Sequence, residues 1–501
     1  MPSSTKPVIA HLAASASALA LAACTTVGPN FKAPATPSGA AAAGYAMAGD
    51  TQPTGVSLSP EARAAGPWWQ AFGSPELDAA IRQGLASSPS VAEARATLER
   101  AQAQLRAVRG AQQPQVDANA SIQRERINLA AFGFTGFPGI GSIKSPTINL
   151  YSVGGTVSYD LDVFGGKKRA TEQARAEAEM AVHQADAAYL TLSSNMAMQA
   201  MKIASLRAQM AAVKAIVADD RRVIDIVRQA EVAGGEAHSA LSGGVAQLAE
   251  DEAMLPPLQR DLDNARHQMA LLAGKSPSEW TAPDFDIDRI VVPADTPVTL
   301  PSELVRHRPD ILAAEADLHA ATAAVGVAIA NQYPDIKLSA ALTQEAIKPG
   351  DIFNADAAAW DILGGITAPI FHGGTLKAQR HAAEADARLA LARYEETVLV
   401  AFVQVSDVLS NLGNDQQTIA SLQRAADAAA SSAKDTQNAL RLGGGPLLDV
   451  IEAQRTLSRQ RRALVEAQGR RYSDLVELYA ATATDWRPAA QAEAVTPAKG
   501  R

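Results

Sequence analysis

The residue whose chemistry is most sharply placed is Cys24, the only cysteine among 501 residues. A lone thiol cannot form a disulfide within one chain. It follows Leu21-Ala22-Ala23, which closes an apolar run from Val8 to Ala20 preceded by Lys6. Small residues directly before a cysteine at the end of a secretory signal have the layout of a lipobox, in which cleavage exposes the cysteine and its thiol is acylated. A covalent lipid on Cys24 is therefore expected. A diacyl anchor with a further acyl chain holds a protein at a membrane where a single chain does not.

Other reactive side chains lack partners at working spacings. The eight histidines include His372 and His307, the latter between Arg306 and Arg308, but none has the i, i+4 pairing or carboxylate setting of a metal site. The Gly-Gly doublets lack the Lys and following Ser or Thr of a phosphate loop, and no serine stands in a nucleophile elbow. Neither an enzyme nor a cofactor beyond the lipid is expected. Glu452 and Arg455 are spaced i, i+3 on a helix, which alone makes a solvated pair worth about 0.2–0.5 kcal/mol.

The elements that would position such residues are long and repetitive. Hydrophobic residues make up 47% of the chain and aromatics only 5%, a balance for extended Ala-rich helices rather than disorder. The formal charge of −8 comes without a basic block, so no nucleic-acid partner is expected. Beyond the N-terminus no uninterrupted apolar run of about 20 residues predicts a transmembrane helix.

Sliding the chain on itself reveals a duplication. At an offset of 220, Pro89, Val91, Leu98, Pro114 and Val116 fall on Pro309, Ile311, Leu318, Pro334 and Ile336. At an offset of 208, Gly165 and Gly166 fall on Gly373 and Gly374, just past Phe164 and Phe371. The predicted unit is helix, strand, loop, strand, long helix, turn and return helix, used twice.

The strands alternate with period two. From Tyr151 to Val163 the odd positions are apolar or Gly, against Ser152, Thr156, Ser158, Asp160 and Asp162. Weaker versions recur at 116–122, 336–342 and 360–370. Each run has about the 9 to 11 residues that cross an outer membrane at a tilt, and four strands are too few to close a barrel, whose lower limit is about eight. An open edge in lipid would leave backbone groups unpaired at several kcal/mol each. Closure therefore calls for further copies, three of which give twelve strands. From Gly166 to Val232 nothing breaks a helix. Within it Leu192, Met196, Gln199, Ile203, Leu206, Met210, Val213 and Val217 step by four and three in a coiled-coil seam. A second copy runs from Gly374 to about Leu442. Gly234-Gly235 and Gly443-Gly444 then mark helix-hairpin tips.

At this point the chain resembles the TolC-like outer-membrane efflux family, in its lipidated NodT-type branch. The resemblance rests on Cys24 with Gly28-Pro29-Asn30-Phe31, on Trp68-Trp69 with Phe72, on Arg308-Pro309-Asp310, on Tyr333-Pro334, on Phe371-His372-Gly373-Gly374 and on Leu478-Tyr479. It implies a mainly α fold with β, a homotrimer whose twelve-stranded outer-membrane β-barrel continues into a long periplasmic α-helical barrel, internally duplicated. It implies docking of a periplasmic adaptor, bound to an inner-membrane pump of the resistance-nodulation-division type, at Gly234, Gly235, Gly443 and Gly444. By the same resemblance Leu448 would plug the axis and Glu452 and Arg455 would latch protomers together. Thr25, being no Asp, implies sorting to the outer membrane.

The domains then read as a signal peptide (1–23), a lipidated linker (24–66), a first repeat of helix, two strands and long hairpin (67–280), an inter-repeat linker (281–300), a second repeat (301–486) and a flexible tail (487–501). Two rivals keep parts of this reading. One is an outer-membrane channel for type I protein secretion. The other is a lipid-anchored periplasmic adaptor or structural coiled coil, against which two strand pairs of membrane length argue.

Overall fold

The computed structural model describes residues 26–35, 58–59, 67–128, 146–234, 237–292, 296–297, 301–442 and 444–482. Cys24, Gly235, Gly443, the signal segment, the tail and most of the 24–66 linker lie outside the described residues.

A 3-10 turn at Trp68–Phe72 leads into α1 (Pro75–Ser87). Its start is written locally: the Ser74 hydroxyl accepts from the Leu77 amide at 3.2 Å, Pro75 opens the first turn, and Glu76 and Asp78 meet the positive end of the helix dipole. Then come α2 (Pro89–Gly110), β1 (Gln115–Arg126), β2 (Thr147–Asp160) and α3 (Gly166–Val232). The return is α4 (His238–Glu252) and α5 (Leu255–Leu272). The second copy runs α6 (Pro301–His307), α7 (Pro309–Ala330), β3 (Asp335–Ala346), β4 (Ala358–Thr367), α8 (Thr375–Arg441) and α9 (Leu447–Thr482). The helices α2 and α7 have 22 residues each and begin on Pro; β1 and β3 have 12 each; α3 and α8 have 67 each. At 1.5 Å per residue each long helix has a length of about 100 Å.

Two sequence readings need correction. The first return is two helices, because Pro256 and Pro257 can sit only in the first turn of a new helix and cannot continue the old one. The second strand ends at Asp160, short of Val163. There Asp162 takes φ 44° and its two carboxylate oxygens accept from the amides of Lys167 and Lys168, each at 2.8 Å, so this stretch is spent on capping α3. By length and composition alone α7 would also pass for a membrane span. Much of it is buried within the protein instead, and it carries Asp310, Glu315, Asp317 and His319, which marks a core helix.

The chain divides into two compact units. One (1–33, 100–178 and 316–392) holds the sheet, an antiparallel meander in the order β1-β2-β3-β4. The other (34–99, 179–315 and 393–501) holds a helical core in which Trp68, Trp69, Phe72, Ile81, Met196, Ile203, Met269, Leu304 and Tyr479 are all but fully buried. Trp68 stacks on Tyr479 at 5.6 Å and meets Trp69 edge-on at 5.9 Å, the geometries that aromatic quadrupoles prefer. The predicted seam of α3 is buried from Leu192 to Val217 except at Gln199, which is half-buried.

Candidate channel wall and gate

Register turns the alternation of four strands into one continuous face. Val116 lies opposite Val157, Ala120 opposite Val153 and Ile122 opposite Tyr151. Tyr159 then pairs with Leu338 and Gly155 with Leu342, and Leu342 pairs with Trp360, Ala340 with Ile362 and Ile336 with Ile366. Opposite residues share a face, so these side chains form one apolar surface. The other surface carries Asp117, Asn119, Ser121, Gln123, Ser152, Thr156, Ser158, Lys337, Ser339, Thr343 and Asp361. The apolar surface is bare: Val116, Ile122, Trp360 and Ile362 are each about three-quarters exposed. An apolar patch this continuous marks a lipid or protein contact. Among the described residues nothing pairs with the outer edges of β1 and β4.

At the hairpin tips, Gly234 takes φ 73° and donates to Glu231 O at 2.9 Å, a left-handed stop that only glycine adopts without strain. The Gly444 amide donates to Ala439 O at 2.9 Å. Val223 and Val227 pack with Ala240, Leu241, Leu440 and Ile451, so the ends of α3, α4, α8 and α9 meet in one cluster.

Helical spacing splits the start of α9 into two stripes. Leu448, Glu452 and Arg455 are i, i+4, i+7 and share one face. Val450, Ile451, Gln454 and Leu457 lie on the other and pack inward, Gln454 donating to Asp219 Oδ2 at 3.2 Å. Leu448 is 64% exposed, and Arg455 Nη1 donates to Glu452 Oε1 at 2.8 Å on the exposed side. The three residues thus share one face of α9, on which Leu448 and Glu452 are exposed and Arg455 is half-buried.

Two acidic features escaped the sequence. Burial and a hydrogen bond shared with Asp251 push the Asp220 carboxyl up to about 7, with Arg455 pulling the other way. The same happens to Asp474, pushed up to about 7 by burial and by Asp415. Asp220 had a signal, since it falls three residues beyond Val217 on the apolar seam; Asp474 had none. Arg308 is also tied down more fully than its motif suggested. Its guanidinium makes a fork to Asp310 at 2.7 and 3.0 Å and donates to Ala481 O and Gln404 Oε1, each at 2.9 Å. Among the described residues no group of His, Cys, Asp and Glu could hold a metal ion.

The model of the family described as "Outer membrane efflux protein" matches residues 80–275 and 300–484. Over 427 residues the chain is 28% identical to the pyoverdine export outer membrane protein OpmQ of Pseudomonas aeruginosa, covering 84% of this chain and 87% of that one. It is 30% identical over 385 residues to nodulation protein T of Rhizobium leguminosarum bv. viciae, covering 72% and 79%. Among solved structures, the outer-membrane channel OprN superposes with a TM-score of 0.82 at 28% identity, covering 93% of this chain and all of that one. With a bare apolar wall of four strands and two 67-residue helices that match such a channel throughout, this chain belongs to the outer membrane efflux protein family, and the outer membrane is where it works.

Proposed function

We propose that the mature protein, lipidated at Cys24, closes with two further copies into a twelve-stranded barrel. The trimer serves as the exit duct of a tripartite efflux system, passing drugs or other small toxic compounds received from an inner-membrane pump of the resistance-nodulation-division type through a periplasmic adaptor. The carrying observation is the continuous apolar face with both outer sheet edges unpaired among the described residues. In lipid, unpaired edge amides and carbonyls require more strands, and only a closed ring supplies them. The family's relatives include proteins named for pyoverdine export and for nodulation, which suits a wide wet passage whose cargo is chosen upstream.

Leu448, Glu452 and Arg455 form the gate at the periplasmic end, and Gly234, Gly235, Gly443 and Gly444 mark the tips that meet the adaptor. Three Glu452 carboxylates around one axis would repel one another, so protons or divalent cations tighten the ring. The test is the oligomeric mass of the purified lipoprotein in detergent together with its single-channel conductance. The expected result is a trimer with a small, mostly closed conductance that rises in Leu448→Ala and Glu452→Gln and falls with calcium or acid only while Glu452 is present. A monomer without conductance overturns the duct, and a trimer whose conductance ignores both substitutions overturns the gate.

A further inference from the structure

The N-terminal segment that follows the lipid site does not run free. Its Val27 amide donates to Phe164 O at 3.2 Å, at the turn between β2 and α3. Arg169, in the first turn of α3 with its side chain 4% exposed, reaches across to the same segment. Its Nε donates to Val27 O at 3.0 Å, while Nη2 donates to Gly28 O at 3.2 Å and to Asn30 Oδ1 at 2.7 Å. Its Nη1 is held by Glu172 Oε2 at 2.6 Å. The other Glu172 oxygen lies 3.2 Å from His319 Nε2 on α7, and the His319 ring stacks on Phe31 at 4.4 Å and 14°. The Gly-Pro-Asn-Phe motif thus closes a loop of contacts through Arg169, Glu172 and His319 back onto itself.

Backbone geometry singles out the same place. Gly28 takes φ 92°, and a Cβ there would stand 2.5 Å from Gly326 Cα. A Cβ on Gly326 would stand 2.8 Å from the Arg169 side chain. Two glycines on different segments are needed for the tether to lie this close to α7 with the guanidinium over it. A buried guanidinium whose three nitrogens all have acceptors is a built site, and the fork of donors suits carbonyls presented along an extended strand.

We propose that Arg169 is the positioning residue of the lipid anchor: its socket clamps residues Val27–Phe31 so that the acyl group on Cys24 is held beside the end of β2. This rests on the lipidation reading above. Cys24 is three residues from Val27, a reach of about 11 Å at most. A lipid on Cys24 would then sit near the strand-to-helix turn, where Phe164 stacks on Tyr333 at 4.7 Å. The socket draws on three segments far apart in sequence, so the tether finds its seat only after α3 and α7 have come together.

The experiment measures the distance between nitroxides at Lys32→Cys and Asn331→Cys in the full lipoprotein trimer, reconstituted in phospholipid nanodiscs. Lys32 and Asn331 are both exposed. A lipidated Cys24 has no free thiol, so these two sites alone take the label; an additional label at Cys24 sinks the lipidation reading, while the distance still judges the socket. A narrow distribution is expected in the parent, a broad one in Arg169→Ala and in Arg169→Lys, which keeps the charge without the fork. An intermediate one is expected in Asn30→Ala. Exchange of the Val27 amide should quicken about tenfold in Arg169→Ala with the β2–β3 amides unchanged. A broad distribution in the parent overturns the proposal, as does a narrow one in every variant. Where Arg169→Ala does not fold, Asn30→Ala and Phe31→Ala decide alone: narrow in both overturns it.

Discussion

The two copies of the repeat share a backbone plan but not its surroundings. The helices α2 and α7 have the same length and the same opening proline, yet among the residues of α2 only Val91 is buried, whereas α7 buries Ile311, Ala316, Leu318, Ala320, Ala323 and Val325. Where Arg308 anchors the second copy with four hydrogen bonds, the first copy has Ser88 at the equivalent place, whose hydroxyl meets that of Ser90 at 2.9 Å. The first return helix is broken at Pro256-Pro257, while α9 runs 36 residues unbroken and carries Leu448, Glu452 and Arg455. Backbone geometry is thus retained where strands and long helices must match, and side chains have diverged where each copy meets a different environment.

The largest expected effect tests what the copies still have in common. Ala120→Lys on β1 and Ile362→Lys on β4 place a charge on the same apolar wall, at about 2–4 kcal/mol per protomer near a bilayer midplane. Both should abolish recovery of trimer from outer membranes, while Asp361→Lys on the opposite face should not. Recovery of Ile362→Lys at parental levels would break the single-wall picture. Next comes the asymmetry at the helix starts. Arg308→Ala should destabilise by about 1–3 kcal/mol, because it leaves the buried Ala481 carbonyl unpaired while Asp310 and Gln404 stay open to water, against about 0.5 kcal/mol for Ser88→Ala, whose hydroxyl meets that of Ser90, both read by urea unfolding of the trimer. Equal losses would mean that Arg308 is no anchor.

The smallest effect compares the carboxyl groups that each hairpin buries. Asp220 and Asp474 both have folded values near 7, above the ordinary carboxylate range. The folded protein therefore keeps protons that the unfolded chain releases. Their stabilising contribution is complete below about pH 4 and is lost as pH rises through 7. Asp220→Asn and Asp474→Asn should each shrink the difference in unfolding free energy between pH 5 and pH 8, by about 1–2 kcal/mol given the partial exposure. A pH 8 stability unchanged in both would refute the shared burial.

Periodicity made much of this legible. Four strands follow from alternation because exactness of period two survives in a wall that faces one way, and α3 and α8 follow from the want of Pro between two glycine tips. Pro256-Pro257 breaks the first return, where the duplication predicts one return helix in each copy. By alternation Asp162 falls among the polar positions of a strand, and only the local backbone reveals it as a cap. The partners of Arg169 and Arg308 lie 96 to 173 residues away along the chain, apart from near neighbours, and no spacing rule reaches that far. That Leu448, Glu452 and Arg455 share one helix face follows from their spacing; that Arg455 also feels Asp220 across helices does not.

The equal 67-residue lengths of α3 and α8 constrain how this gene can change. Asp219, Arg222 and Val223 near the end of α3 line a common groove with Ala430, Lys434 and Leu440 of α8. Their starts follow strands of one sheet. Adding one residue to a single helix turns everything beyond it by about 100° and advances it 1.5 Å, which would swing its half of the groove away from the other. Insertions and deletions should therefore be tolerated only as matched pairs, and in steps close to whole turns, about 7 or 18 residues. A duct for a wider or narrower periplasm would have to be cut twice, by the same length, at corresponding places in the two halves.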